Sequence, residues 1–536
     1  MRGIMRITNK IMQKNNLSNI NTNKVNMDRI SNQQSTEKKI NRPSDDPVIA
    51  IRALRLRSSV TEVTQYYSKN IPDAQSWLDV TEDALINLSE VLKNLISRCN
   101  KGANTYLETE DRQIILEEMK ALAEEIYSTG DADYAGRYVF TGFRTDTSLS
   151  FKEETNQLFD IWEQLGVDSI DDMTKVFTDG LLNLNPENFD KDEMDITEQD
   201  IKAVTYHRIR LAYNDCVGDG TETPSITFKK LKMNGDKPEI GDDGKPVYEE
   251  VTYKATTMHS YEDPYSEIAK EENAGAVIFV PETGELLLGD KIYGELMSLK
   301  DDVSTTANEG EIRVNYQKSH WEKGDLRPQH YFACTSDPND PEKKISYNEN
   351  YLTEDVPNRQ NIEYDVGFNQ RIRVNSTADE CFKHGIGREV DDIMTAMQDV
   401  LELEKIQTTL SKLVAENEGN EDAIARLEQQ MDAVGKALTF AKEKEQKLFE
   451  SGISAFQKYM DDANLCVTEC GTRSSKLALV ENRMQTQKTT FETLKSTNED
   501  IDIAEVTINM NSATVIYEAA LLAAGKVMQT SLLNFI

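Results

Sequence analysis

Long apolar runs are missing from this chain. No stretch approaches the roughly 18 consecutive apolar residues that a membrane-spanning helix needs. A signal-peptide core is missing as well, because Arg6, Thr8 and Asn9 interrupt residues 4–10. Membrane is therefore not an expected partner, and a protein of this kind that leaves the cell does so without a cleaved Sec signal. Proline and glycine are scarce, at 13 and 26 of 536 residues, which excludes a linker-dominated chain. The six cysteines are scattered with no CxxC pair, so neither a disulfide framework nor a zinc ribbon is expected. Cys466 and Cys470 stand four apart on one helical face. Cys470 falls on an apolar stripe, which favours packing over metal or redox work. Basic residues are in deficit, 60 against 94 acidic for a net charge of −34. Nucleic acid and anionic lipid would be repelled.

Catalytic signatures are also absent. There is no HExxH, no P-loop and no Gly-x-Ser-x-Gly. Gly385-Ile386-Gly387 lacks the third glycine and the preceding strand of a dinucleotide site. The five histidines (His207, His259, His320, His330, His384) are scattered and read as surface or half-buried residues. Residues 236–243 are rich in Gly and Asp but fit a hairpin turn better than a calcium loop. No catalytic, cofactor-binding or metal-ligating residue is assigned, no cofactor is expected, and the chain does not read as an enzyme.

What is present is helical periodicity at both ends. Ile503, Val506, Met510, Ala513, Tyr517, Ala520, Ala524 and Val527 recur at alternating steps of three and four, one apolar stripe along a long C-terminal helix. A long, sticky, two-sided helix at this position calls for something to bury it. Residues 5–41 carry a ragged helical pattern through Ile7, Ile11, Leu17, Ile20, Met27 and Ile30, diluted by nine asparagines. At about 0.6 kcal/mol each against alanine, the asparagines cost roughly 5 kcal/mol of helix propensity. Such a segment folds against a partner rather than alone. Charge points to the same pairing. Residues 1–46 hold 9 basic and 4 acidic residues, and residues 496–536 hold 1 and 5.

Arg42-Pro43-Ser44-Asp45-Asp46-Pro47 is a stop followed by a start. Pro43 ends what precedes it, Asp46 can cap the next helix, and Pro47 fits its first turn. A clean stripe then predicts a helix of about 50 residues, with a slip near Pro72, and a second helix over about 109–127. Residues 136–142 read as a short strand or hairpin edge. Residues 146–384 change character: 25 basic against 50 acidic residues, and β-branched alternation. Hairpin signals fall at 275–288 and at 226–253, and further strands at 312–316 and 372–375. Helical stripes return from about 387 and double back at a polar turn over 416–422. The fold class expected is α+β: a long antiparallel α-helical bundle or coiled coil formed by the N- and C-terminal segments, with a β-rich domain inserted in the middle. The expected division is 1–46 plus 496–536 as terminal assembly helices, 47–145 plus 385–495 as a helical rod, and 146–384 as an acidic surface insert.

These residues carry a resemblance. Met5-Arg6-Ile7-Thr8-Asn9 and Arg42 to Pro47 resemble the N-terminal signature of flagellins and flagellar hook-associated proteins. Asp111-Arg112, then Gly136-Arg137-Tyr138-Val139-Phe140-Thr141-Gly142, and the ending Ser531 to Ile536, look like the hook–filament junction branch of that family. Where the family typically carries Gly, this chain has Glu37. The resemblance implies a secreted, extracellular component of the bacterial flagellum, exported unfolded by the flagellar type III apparatus. It would assemble as a ring of identical subunits between hook-associated protein 1 and the flagellin filament. The terminal helices would form the inner tube and the inserted domain would face outward. Apart from the resemblance, an exposed apolar helix in the cytosol needs cover, which makes the C-terminal stripe the expected site for a cytosolic export chaperone. Two alternatives stay open: the filament subunit flagellin itself, and a flagellin-like protein with an adhesive insert.

Overall fold

The structure is a computed structural model, and it describes residues 9–103, 107–178, 180–191, 194–218, 224–235, 237–241, 246–299, 311–353 and 360–529. Seven helices carry the helical part: α1 (Asn9–Thr36), α2 (Pro47–Gln65), α3 (Ile71–Gly102), α4 (Thr109–Gly130), α5 (Gly385–Glu416), α6 (Glu421–Glu499) and α7 (Ile503–Gln529). Between α4 and α5 the chain is mainly β, so the α+β class and the β-rich middle read from the sequence are what is found. By internal contacts the chain divides into two units. One holds Met1–Gln75, Tyr364–Ile372 and Ser475–Ile536, and the other holds Ser76–Glu363 and Arg373–Ser474.

In the first unit, Asp46 caps α2 as its position suggests. Its side chain accepts from the Val48 N–H at 2.9 Å and the Ile49 N–H at 3.1 Å, with Pro47 in the first turn. The slip expected near Pro72 is a π-helical turn over Tyr66–Asn70, where Ile71 N–H bonds to Tyr66 O. Proline has no N–H and its ring presses on the carbonyl four residues back, so one extra residue in the turn relieves both problems. A small hairpin, Glu363–Gly367 with Gln370–Arg373, meets this turn: Asn70 Nδ2 donates to Asp365 O at 2.8 Å and Tyr66 packs edge-on to Phe368.

Among the described residues the second unit holds two sheets of more than two strands. The larger has six strands, with Thr155–Leu165 at its centre between Ile312–Trp321 and Ala333–Ser336. Ser225–Leu231 and Tyr248–Lys254 extend one side, and Ile345–Tyr347 closes the other. The smaller has five strands. In it Val277–Val280 and Glu285–Leu288 form the expected hairpin, in register from Val277↔Leu288 to Val280↔Glu285. Its turn needs Gly284, whose φ is +63° and whose Cβ, if present, would lie 1.9 Å from Tyr213 O.

The helical hairpin of α5 and α6 has an evident structural role. Its buried Val400, Leu403, Leu410, Val434 and Ala437 form one core with Leu181, Leu184, Ile196 and Ile201. The buried Gln430 amide donates to Phe189 O at 2.9 Å and Met194 O at 2.8 Å, tying that loop down.

Candidate functional site: the terminal helix pair

α1 and α7 pack as an antiparallel pair, because Asn23, Ile30 and Gln33 share a cavity with Val506, Asn509 and Ala513, while Asn16 and Asn19 share one with Ala520 and Ala523. On α7 the less exposed positions are Val506, Thr507, Met510, Ala513, Thr514, Tyr517, Ala520 and Ala524. Ile503, at the start of the stripe, is 57% exposed. Ile7 and the Val527 side chain lie outside the described residues. On α1 the less exposed side is Asn16, Ile20, Asn23, Met27, Ile30 and Gln33. The apolar spacing was expected to run through Ile11 and Leu17, but these are exposed, at 43% and 62%. The reason is helical phase: Ile11 sits about 140° around the helix from Asn16, and asparagines occupy contact positions that an apolar pattern cannot reveal.

A second seam was only partly legible. Ile508, Val515, Ala519 and Leu522 lie on another side of α7, at steps of seven, four and three, and all are exposed. Ile508 is 65%, Val515 64% and Leu522 71% exposed, whereas Ile516 lines the cavity shared with α1. The helix therefore has two apolar sides, one against α1 and one open.

The base of the pair is closed by hydrogen bonds and charge. Lys39 N–H donates to Glu499 O at 2.7 Å and Ile501 N–H to Glu37 O at 3.2 Å. Glu37 turns the corner with φ +57°. Lys38 Nζ pairs with Asp500, and the Arg57 guanidinium grips Glu499 through two bonds of 2.7 Å each. Both carboxyls are held below their ordinary range, Glu499 chiefly by the Arg57 hydrogen bond and Asp500 chiefly by that of Lys38. Asp502 caps α7, accepting from the Ala504 N–H at 2.9 Å.

The signature residues are turn chemistry. Asp45 accepts from the N–H groups of Arg42 (2.9 Å) and Asn41 (3.1 Å), which lowers its pKa in that order. Arg42, Pro43 and Ser44 form the exposed turn between them. In the other unit, Gly136 (φ +76°) turns a two-residue hairpin, Asp133–Tyr134 with Arg137–Tyr138. The Arg137 guanidinium lies over Trp77 at 4.9 Å, Tyr138 N–H donates to Thr145 O at 2.8 Å, and buried Phe140 packs on Phe382. Gly142 has φ +63° beside Gln360, whose side chain accepts from the Phe143 N–H at 2.9 Å.

Residues 7–145 match the model of the bacterial flagellin N-terminal helical region. That match covers α1 to α4 and both signature turns. The chain is also similar to flagellar hook-associated protein 3 of Salmonella typhimurium, 24% identical over 145 residues, which are 27% of this chain and 45% of the relative. It is 26% identical over 151 residues to flagellar hook-associated protein 3 of Escherichia coli, covering 28% and 47%. The resemblance read from the sequence is thus found again by comparison. The chain spans about half the length of the curated relatives it matches. Among solved structures, FlgL of Xanthomonas campestris aligns over 82% of this chain and 99% of its own at 13% identity and a TM-score of 0.23.

Among the described residues no group of three or more His, Cys, Asp or Glu side chains is placed to hold a metal ion, and no helix is long and apolar enough to cross a membrane. Part of 236–243 lies outside the described residues.

Proposed function

We propose that this chain is a structural subunit of the bacterial flagellum, seated at the hook–filament junction between hook-associated protein 1 and flagellin. Its work is assembly rather than catalysis. The observation that carries the reading is the two-sided α7: one apolar seam is filled by α1, and a second, running through Ile508, Val515 and Leu522, is open to water. An open seam of coiled-coil spacing on a helix that already has one partner is a surface for further copies. Repeated around a ring, such contacts would build an inner tube from the terminal helices, with the acidic residues 146–384 turned outward. The same seam needs cover before assembly, which is the role we assign to a cytosolic export chaperone. Export would run through the flagellar type III apparatus, and the asparagine-rich α1, weak as a helix on its own, suits a chain that travels unfolded.

The test is a clean deletion of the gene, with electron microscopy of the cells and an assay of the medium for flagellin. Bare hooks with monomeric flagellin shed into the medium are expected. Normal filaments would overturn the proposal, and hooks capped normally but lacking all flagellin would make this chain the filament subunit. Ala520→Asp places a charge in the α1-facing seam. It should abolish incorporation into flagella while leaving the thermal unfolding of residues 76–363 unchanged, and normal incorporation would refute the role of that seam.

A further inference from the structure

A cavity of about 170 Å³ opens on the larger sheet of the second unit. Its floor follows from strand register. Trp162 lies opposite Ala333 on the neighbouring strand, and Gln164, two residues on, shares its face of the sheet. The alternate residues Phe159, Ile161 and Glu163 are buried on the other face. Alanine is too short to fill the space beside an indole, which leaves the gap. Among the described residues no other ring stacks on Trp162 and its indole N–H makes no hydrogen bond. The walls come from other segments. Tyr351, on the short helix Asn350–Thr353, is held by the Gln164 amide, which donates to its carbonyl. Asp379, Lys383 and His384 line the cavity where the helix Ala378–Cys381 gives way to α5. His384 packs edge-on to Phe332, with ring centroids 5.0 Å apart. Lys383 Nζ is already engaged, donating to Asp379 O at 2.9 Å and lying 3.9 Å from Asp462. Partial burial, then the cations Lys383, Arg210 and Arg388, lower the His384 pKa to about 4. Its imidazole is therefore neutral at pH 7 and offers one donor and one acceptor. Trp162, Gln164, Tyr351, Asp379, Lys383 and His384 are all half-buried, so solvent reaches the cavity.

We propose that this cavity binds one neutral pyranose ring, as a free hexose or as the terminal unit of a glycan. Three features select that chemistry. The first is size: drug-sized ligands occupy roughly 300 Å³ or more, so this cavity has room for a single ring. The second is the mixture of walls. Aromatic surface lies beside a carboxylate, an amide and an imidazole, which suits a sugar with an apolar C–H face and a rim of hydroxyls. The C–H face stacks on Trp162, and the hydroxyls bond to Asp379, Gln164 and His384. The third is charge. Asp379 is balanced by Lys383, so the cavity favours a neutral guest. A quaternary ammonium, the usual guest of an aromatic cage, would lie beside the Lys383 ammonium and be repelled. A base carried on a nucleic-acid strand is disfavoured by the net charge of −34.

The test uses the full chain and a panel of probes: glucose, galactose and mannose, each free and as the methyl glycoside, with tetramethylammonium chloride as the competing cation. Saturation-transfer NMR reads the sugar, and tryptophan fluorescence reads the protein. Of the three tryptophans, Trp77 and Trp321 are 1% and 0% exposed, so a fluorescence change on binding reports Trp162. The expected result is saturable binding of at least one pyranose, with transfer strongest to the C–H protons of one ring face and a matching fluorescence change. Uptake of a methyl glycoside assigns the site to a glycan end, and uptake of the free hexose alone assigns it to a small molecule. Trp162→Ala should lower the affinity about tenfold by removing the stacking surface. Asp379→Asn, of equal size, should also lower it about tenfold while keeping the wild-type thermal unfolding curve. No saturable binding by any sugar up to about 50 mM would overturn the proposal. So would preferential binding of tetramethylammonium, or sugar affinity unchanged in Asp379→Asn or in a folded Trp162→Ala. None of these readouts depends on assembly, so the outcome is independent of the junction reading.

Discussion

Arg57→Ala should open the base of the terminal helix pair. The Glu499 side chain is 3% exposed and takes both of its Arg57 bonds at 2.7 Å, whereas the arginine itself is 55% exposed. Two costs therefore differ in size. Losing an ion pair with one exposed partner is worth about 0.2–1 kcal/mol. Leaving a buried carboxylate without its donors costs about 1–3 kcal/mol. Because water can reach the vacated arginine side, the sum should fall near 1.5 kcal/mol, a change of about tenfold in the opening equilibrium. The amides that report it are Lys39 and Ile501, which bond to Glu499 O and Glu37 O. Hydrogen exchange at these two positions should quicken about tenfold in Arg57→Ala, while amides in the sheet strand Thr155–Leu165 stay as they were. Glu499→Gln in the Arg57→Ala background should recover part of the protection, because a neutral amide is cheaper to bury than an unpaired carboxylate. Unchanged exchange at Lys39 and Ile501, or a double-mutant cycle with no coupling between the two residues, would refute the reasoning.

Three further outcomes are expected. Glu499 and Asp500 have folded pKa values below 4.5 and 3.8, so their contribution is complete above those values and is lost as pH falls through the lower folded ones. Exchange at Lys39 and Ile501, corrected for its intrinsic pH dependence, should therefore be flat from pH 7 to 5 and rise steeply below about 4. Glu37→Gly should stabilise the corner by roughly 0.5 kcal/mol, since an L-residue at φ +57° costs about 1–2 kcal/mol and glycine returns about 0.5–1 of that to the unfolded chain. Glu37→Val should do the opposite, and the same two amides check both. Gly102→Ala would set a methyl 2.3 Å from Cζ of the fully buried Phe449, and should lower the unfolding free energy by about 1–3 kcal/mol in calorimetry.

Periodicity made the helices legible, and chemistry made their ends legible. Asp46 and Pro47 marked the start of α2 because capping is a local event that the sequence states directly. Pro72 marked the irregularity but not its form, because whether a helix kinks or widens depends on what packs beside it, here the hairpin that meets Asn70. The strand Thr155–Leu165 escaped the sequence reading. Its inward positions are Phe159, Ile161, Glu163 and Leu165, and the glutamate breaks the alternation. Glu163 is tolerated there because the Ala212 N–H (2.8 Å) and the Tyr316 hydroxyl both donate to it, while burial pushes its carboxyl up to about 7. Partners some 50 and 150 residues away along the chain cannot be read from a local pattern. The α1 contacts escaped for a related reason. Asn16 and Asn23 occupy positions where a search for apolar stripes looks for Ile or Leu, and Ile11 and Leu17 drew the stripe to the wrong side.

The ion pair of Lys38 with Asp500 joins residues 462 apart in sequence. A contact of that span is slow to find, because the loop it closes must be ordered before the contact repays anything. The terminal pair is therefore a late event in folding, and it depends on both ends of the chain at once. With either end missing, the other is left as a poor helix: α1 because of its asparagines, α7 because neither of its seams is covered. Pairing of the termini thus acts as a test of completeness, in which an incomplete chain exposes the very segments that proteases and chaperones recognise.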